Sequence, residues 1–229
     1  MRATFPWQLL WQSVTPRFMG ASREPLRSIS GAETIIPAMG GRWEVDCSFV
    51  IKGEAAQLAW QAFLAQMEGT IGTTLVPIRT RYRPRAADGR PVTGCTVAGL
   101  VPGQMFDHSG FERAPVVGAR TVAAAPLRAM QISVVLENST GIRPGQFFSI
   151  GDRLSQVQQH WQSGTVHNLW LRSPLRAPVP EGAPLEVFAP SCLMRLASED
   201  EGMFDHLLDP LPRVTCKFIE CFDAEAGSE

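Results

Sequence analysis

The sequence lacks both a long apolar run and an excess of charge of either sign. No window reaches the length of a membrane helix, about 18 apolar residues. The N-terminal segment 1–14 is interrupted by Pro6, and no small-residue cleavage site follows it. The net charge of the 229 residues is −1, so electrostatics does not draw the whole chain to nucleic acid or anionic membranes, despite a short basic stretch at 79–85. We therefore expect a soluble protein made in a cytoplasm, with no membrane insertion and no nucleic-acid partner.

The sequence also lacks the short motifs of common catalytic, nucleotide and metal sites. It contains no G-x-S-x-G, no P-loop and no H-E-x-x-H. A dyad of Cys95 and His108 is conceivable in space, but no feature of the sequence supports it. No C-x-x-C pair occurs among the cysteines, which favours buried reduced thiols used as small apolar residues. The five are Cys47, Cys95, Cys192, Cys216 and Cys221. We expect no enzyme activity, no cofactor and no metal.

Histidines and paired carboxylates are the remaining candidates for chemistry. The four histidines are His108, His160, His167 and His206. An aspartate precedes His108 and His206, but adjacent residues on a strand point to opposite faces, and neither stretch has the spacing of a zinc site. Glu44 and Asp46 share one face of a strand, as the two acids of a glycosidase must. The solvated face of any amphipathic strand has the same appearance, so structural or surface roles are favoured.

Hydrophobic periodicity predicts a strand, a helix and a strand early in the chain. Residues 42–51, RWEVDCSFVI, alternate between apolar and polar side chains, which is typical of an antiparallel strand with one solvated face. Residues 54–68 change to a helical stripe, with Gly69 placed as the C-terminal cap. Residues 70–84 return to β character. Trp43 and Trp60 lie on the apolar faces and are predicted to be core residues.

The rest of the chain is predicted to be mainly β. Residues 84–128 are rich in Pro, Gly, Ala and Arg, which indicates a long arm or loop with one or two short strands near 93–100 and 116–122. Short strands separated by Gly/Pro turns follow at 129–137, 146–150, 153–158, 165–172 and 185–189, and suggest a small antiparallel barrel or sandwich. Two more are expected at 192–198 and 213–222.

The segment GQFFSIGDRLSQV, residues 145–157, predicts a hairpin with a positive φ at Gly151. Because Phe147 and Ile150 cannot share a face in regular alternation, the first strand should contain a bulge or be buried on both sides. Any ligand contact nearby is expected at His160 and Trp161 instead.

Six tryptophans against a single tyrosine is an unusual balance. Exposed tryptophan can stack on sugars, so Trp161 and Trp170 are candidate ligand-binding residues of a carbohydrate- or receptor-binding module. Trp7 and Trp11, in the segment PWQLLWQ, could instead anchor a neighbouring subunit, because aromatic residues are enriched at protein interfaces.

Several spaced motifs resemble a family of tail proteins from long-tailed, siphovirus-type phages and prophages. The run from LRSISGAETIIPAMGGRW to GTTLVPI is similar to the N-terminal part of that family. It carries Arg27, Ser28, Gly31, Gly40, Trp43, the helix to Gly69, Leu75 and Pro77. The segments GQFFSIGDRLSQV, LWLRSPLRAPVPEGAPLEVFAPSCLMRLAS and RVTCKFIECF resemble the second half. The resemblance covers about two thirds of the chain and leaves out residues 84–128.

The resemblance implies a minor tail protein of the virion, similar to the distal tail protein. Such a protein would form a homo-hexameric ring that contacts the tail tube protein and the baseplate hub protein, using edge strands and the 84–128 arm between subunits. The implied fold is a mainly β antiparallel sandwich or hub domain with one flanking α-helix, plus a small inserted β-barrel-like module. The predicted parts are an N-terminal hub segment 1–84, an arm 85–128, an inserted β module 129–189 and closing C-terminal strands 190–229.

Overall fold

A computed structural model describes residues 2–20, 26–27, 33–34, 40–80, 82, 84–87, 89, 94–95, 116–203 and 211–222. The chain forms two compact units. The first combines Met1–Val76 with Leu193–Glu229, and the second is Pro77–Cys192. Strands dominate both units, and the described residues include one helix, so the prediction of a mainly β fold with one helix is confirmed.

The elements run in chain order as follows. They are β1 (Arg2–Ala3), β2 (Leu10–Met19), β3 (Leu26–Arg27), β4 (Glu33–Thr34), β5 (Arg42–Val50), α1 (Glu54–Met67), β6 (Thr73–Pro77), β7 (Gly94–Cys95), β8 (Val116–Thr121), β9 (Gln131–Glu137), β10 (Phe147–Ile150), β11 (Arg153–Ser163), β12 (Val166–Leu171), β13 (Ser191–Leu196) and β14 (Arg213–Glu220). Among the described residues, no helix has the length and apolar character needed to cross a bilayer.

A six-stranded sheet in the order β1-β6-β13-β14-β5-β2 forms the first unit. The alternation predicted for β5 is present, because Trp43, Val45, Cys47 and Phe49 are all buried. The helix α1 buries Trp60 and Phe63. The Trp60 ring lies 5.5 Å from that of Phe49, between centroids, so aromatic contacts join the helix to the sheet. The core positions predicted for Trp43 and Trp60 are therefore confirmed.

The helix ends slightly earlier than the sequence predicted. Its last residue is Met67, and Glu68, with φ of 46°, is the C-terminal cap in place of Gly69. Gly69 continues the left-handed turn with φ of 66°. These two consecutive left-handed residues reverse the chain toward β6.

Strand β2 was not predicted from the sequence, although it is ten residues long and pairs with β5. Its exposed and partly buried positions do not alternate regularly, and Phe18 is its only buried residue. The pairing register also shifts between Trp11 and Ser13. A bulge reverses the order of inward and outward side chains, so the strand carries no simple period of two.

The second unit contains a sheet in the order β10-β11-β12-β9-β8-β7 that curls into a half-barrel. Its core includes Val117, Val134, Phe148, Leu169 and Leu185, all of them almost fully buried. The strand predicted near 116–122 is β8, and the one at 129–137 is β9. The segment 185–189 is not a strand, and contributes an isolated bridge between Ser149 and Glu186.

The β10–β11 hairpin shows which of the two predicted alternatives, a bulge or burial on both sides, applies to its first strand. Gly151 has a φ of 54°, as predicted for the turn. The pairing from Phe147 to Ile150 is continuous, so the suggested bulge in this strand is wrong. Phe148 and Ser149 are both buried, and the alternative, burial on both sides, is confirmed.

The first and last parts of the second unit lie next to each other. The backbone N–H of Ile78 donates to the carbonyl of Pro190 at 2.7 Å. The strands that carry the chain in and out, β6 and β13, are neighbours in the first sheet. The segment Pro77–Cys192 therefore connects two strands that are neighbours in one sheet.

Candidate functional site

The candidate site lies on the β11–β12 hairpin and depends on a bulge in β11. Val157 pairs with Leu171, but the next pair is Gln159 with Trp170, so Gln158 is an extra residue. Without it, strict alternation would place Trp161 on the same inner face as Val157. With it, His160 pairs with buried Leu169 on the inner face, and Trp161 pairs with Asn168 on the outer face.

Two tryptophans consequently share the outer face of the hairpin. Trp161 and Trp170 occupy diagonal positions on the two paired strands, a spacing of about 7–8 Å in an antiparallel sheet. Each has 39% of its surface exposed, although tryptophan is usually well buried. The structure therefore brings together the two residues that the sequence selected as ligand-binding candidates.

Uncharged polar side chains lie beside this tryptophan pair. Gln159 and Asn168 are the direct cross-strand partners of Trp170 and Trp161. Ser133, on β9, donates its hydroxyl to Asn168 Oδ1 at 2.8 Å. We call these five residues the tryptophan face. Indole rings can stack on the apolar face of a ligand ring, and the neighbouring amide groups can form hydrogen bonds with the hydroxyl groups of that ligand.

The inner face of the same hairpin carries a histidine pair. His160 Nε2 lies 2.9 Å from His167 Nδ1, within hydrogen-bond distance. Burial lowers the pKa of His167, and the neighbouring His160 lowers it further. Sequence reasoning listed both histidines but did not pair them, because the pairing depends on the bulge. The polar run Gln158-Gln159, following buried Val157, was the available signal.

The carboxylates Glu44 and Asp46 form ion pairs on the solvated face of the first sheet. Glu44 Oε2 lies 2.6 Å from Lys217 Nζ, and its other oxygen lies 3.6 Å from Arg42 Nε. Asp46 pairs with Arg17 of β2. The hydrogen bond to Glu44 raises the pKa of Lys217. Both acids thus have cationic partners on a neighbouring strand, Lys217 for Glu44 and Arg17 for Asp46, as expected on an amphipathic sheet.

Four cysteines have described side chains, and all four are buried and outside any disulfide, as predicted. They are Cys47, Cys192, Cys216 and Cys221. Cys47 and Cys216 are direct cross-strand partners. Burial, and then the nearby Asp46, raise the pKa of Cys47 to about 12. Burial likewise raises the pKa of Cys216. The thiols of Cys47 and Cys216 therefore remain protonated and unreactive near neutral pH.

The other candidates for chemistry fall outside the described residues. They are the side chain of Cys95, and the histidines His108 and His206. Within the described part of the chain, no three His, Cys, Asp or Glu side chains are grouped so that they could hold a metal ion.

The two N-terminal tryptophans have different environments. The ring of Trp11 stacks on Phe5 with centroids 5.3 Å apart and meets the edge of Phe49 at 4.6 Å. Trp7 is 81% exposed, although its neighbours Pro6 and Leu9 are buried. Trp11 is therefore partly buried in a cluster of aromatic rings, while Trp7 projects into solvent from an anchored turn.

Comparison with known proteins adds no identification: no protein-family model matches the chain, and no curated protein is similar to it.

Proposed function

We propose that the chain is a structural protein of the tail tip of a long-tailed bacteriophage. In this proposal it forms a homo-hexameric ring that joins the tail tube to the baseplate or host-contact hub. The spaced motifs that resemble the distal tail protein family support it. The arrangement of the units is consistent with that resemblance, since one unit combines both ends of the chain and the other is inserted between them.

The observation that carries the proposal is the exposure of Trp7. A tryptophan with 81% of its surface in water leaves a large apolar area unburied, and burying such a side chain contributes about 2 kcal/mol or more. The buried flanking residues Pro6 and Leu9 hold the turn in place, so little conformational entropy is lost when a partner covers it. Leu10, 51% exposed, adds a second apolar contact nearby. Anchored aromatics of this kind are typical centres of subunit interfaces.

The features of strand β2 favour a subunit contact made by side chains over one made by adding a strand to the sheet. Among the described residues it pairs only with β5, so it is an edge strand. However, it contains a bulge near Trp11, a proline at position 16 and the charged Arg17. These features commonly protect exposed edges against pairing with another chain. We therefore place the subunit contact at Trp7 and not along the main chain of β2.

The substitution Trp7→Ala tests this contact. Wild-type protein is expected to form rings in negative-stain micrographs and a matching assembly mass in solution. The variant should dissociate at concentrations at which the wild type remains assembled. Trp161→Ala is the matched control, because it removes another exposed tryptophan from the other unit and should leave the rings intact. Wild-type protein that stays monomeric at every concentration, alone and with a tail tube protein, would contradict the proposal.

The tryptophan face favours a second candidate function, binding of a carbohydrate or surface receptor at the tail tip. Trp161 and Trp170 present two aromatic surfaces beside the amides of Gln159 and Asn168. Stacking on tryptophan suits the apolar face of a sugar ring, and amides suit its hydroxyl groups.

A glycan array with the full chain, followed by calorimetry on any positive sugar, tests this candidate. Loss of one stacking surface, worth about 1.4 kcal/mol, should weaken binding about tenfold. Trp161→Ala and Trp170→Ala should each show that loss, whereas Trp7→Ala should bind like the wild type. If no sugar binds saturably, or if Trp7→Ala weakens binding equally, the tryptophan face is not the site.

A further inference from the structure

The histidine pair at the end of the β11–β12 hairpin has an unusual geometry. His160 Nε2 and His167 Nδ1 lie 2.9 Å apart, while the ring centroids are 5.1 Å apart and the ring planes differ by 16°. The centroid separation exceeds the nitrogen–nitrogen distance by roughly the width of one ring. The rings therefore meet edge to edge, with nitrogen facing nitrogen, instead of overlapping face to face.

This contact requires one proton between two nitrogens. Two neutral imidazoles can make it, because one N–H donates to the lone pair of the other. One imidazolium and one imidazole make it more strongly, since the donor is charged. Two imidazolium rings cannot make it, because each nitrogen carries a hydrogen and the like charges repel.

Within the described strands around the pair, no inner-face side chain could compensate for a second positive charge. The inner-face neighbours in the pairing register are Gln162, Leu169 and Val134, none of which ionises. The charged residues of the neighbouring strands lie elsewhere: Glu137 pairs with Gly118 and Arg120 pairs with Val135 on the outer face, and Arg153 begins β11 at the opposite end. Strand β12 contains no other ionisable residue than His167. No carboxylate of these strands therefore faces the pair.

We infer that His160 and His167 form a pH-dependent latch that closes the end of the β11–β12 hairpin and opens when both rings are protonated. The turn between the strands is short, with residues 163–165 exposed, and the histidine contact lies near it, since Gln162, the direct partner of His167, is the last inner-face residue of β11 before the turn. Opening would change the setting of the tryptophan face, because Trp161 directly follows His160. The inference stands independently of the function proposed above.

The lowered pKa of His167 fixes the direction of the effect on stability. Between that folded-state pKa and the ordinary value of 6.5, the unfolded chain binds more protons than the folded chain. Stability contributed by the pair is therefore complete above about pH 6.5 and is lost as the pH falls through the folded pKa.

A pH titration of the full chain by NMR tests the latch. Imidazole resonances of the wild type should show two coupled steps, with the lower one clearly below pH 6.5. Amide hydrogen exchange of residues 160–167, corrected for its intrinsic pH dependence, should increase about tenfold once the lower step is passed. The indole fluorescence of Trp161 and Trp170 should change over the same pH range.

His160→Gln and His167→Gln provide the matched variants, and Ser163→Ala is the control. Each glutamine variant should lose the lower step and the acid-induced exchange. The control should behave like the wild type. The latch is refuted if the two wild-type imidazoles show no coupling in the titration, or if exchange at 160–167 does not depend on pH. The wild-type titration alone decides this even if a variant fails to fold.

Discussion

Trp60 illustrates how a single residue can depend on a glycine far away in the sequence. Its Nε1–H donates to the carbonyl of Gly202 at 2.9 Å. Gly202 has a φ of +78°, and a Cβ added there would lie 2.7 Å from Cζ2 of Trp60. Gly202 thus has two roles: its carbonyl accepts the hydrogen bond from the indole, and its lack of a side chain leaves room for the ring.

The substitution Gly202→Ala is therefore expected to destabilise the first unit through two effects. A side chain in the left-handed region costs about 1–3 kcal/mol, and overpacking against the buried indole costs about 1–3 kcal/mol more. Gly20→Ala is the control, since its φ is +75° and its added Cβ would meet only Gly41 Cα at an ordinary 3.5 Å. Urea unfolding should show the larger loss for Gly202→Ala. Equal losses in the two variants would mean that contact with Trp60 does not matter.

At the scale of elements, the sequence predicted regular structure well and irregular structure poorly. The uninterrupted alternation of β5 and the helical stripe of α1 were sufficient, because each element buries one face. Strand β2 was missed, because its bulge and its exposed positions remove the period of two. Bulges depend on the partner strand, so they leave only indirect traces in a single sequence.

The candidate site shows the same division between composition and geometry. Trp161 and Trp170 were chosen as ligand-binding candidates because tryptophan is frequent and these two were not assigned to the core. Their common face could not be predicted, because Gln158 changes the register only just before Trp161. The histidine pair was missed for the same reason. Its partners are seven residues apart and meet only if the register is known.

At the scale of the whole molecule, the second unit has the features of an independently folding domain. Among the described residues, its core cluster comprises sixteen side chains from Ala86 to Val187, all of them within Pro77–Cys192. The backbone hydrogen bond from Ile78 to Pro190 brings the ends of that segment together. An inserted segment with its own core and adjacent ends generally meets the requirements for folding alone.

A fragment comprising residues 77–192 is accordingly expected to fold when expressed by itself. It should give a dispersed NMR spectrum and a cooperative thermal transition. The matched variant Leu169→Ala, which removes a fully buried side chain of the same core, should destabilise the fragment by about 2–5 kcal/mol. A fragment that shows no cooperative transition would indicate that the second unit needs the rest of the chain.

The adjacent entry and exit of the second unit also bear on how such a protein can change during evolution. Because the chain leaves and rejoins the first sheet between two neighbouring strands, a recombination event with both breakpoints near Ile78 and Pro190 would exchange the complete unit. The remaining strands would keep their order and their partners. Lineages could therefore acquire a different inserted module, or replace it with a short turn, without rebuilding the sheet made from the two ends of the chain.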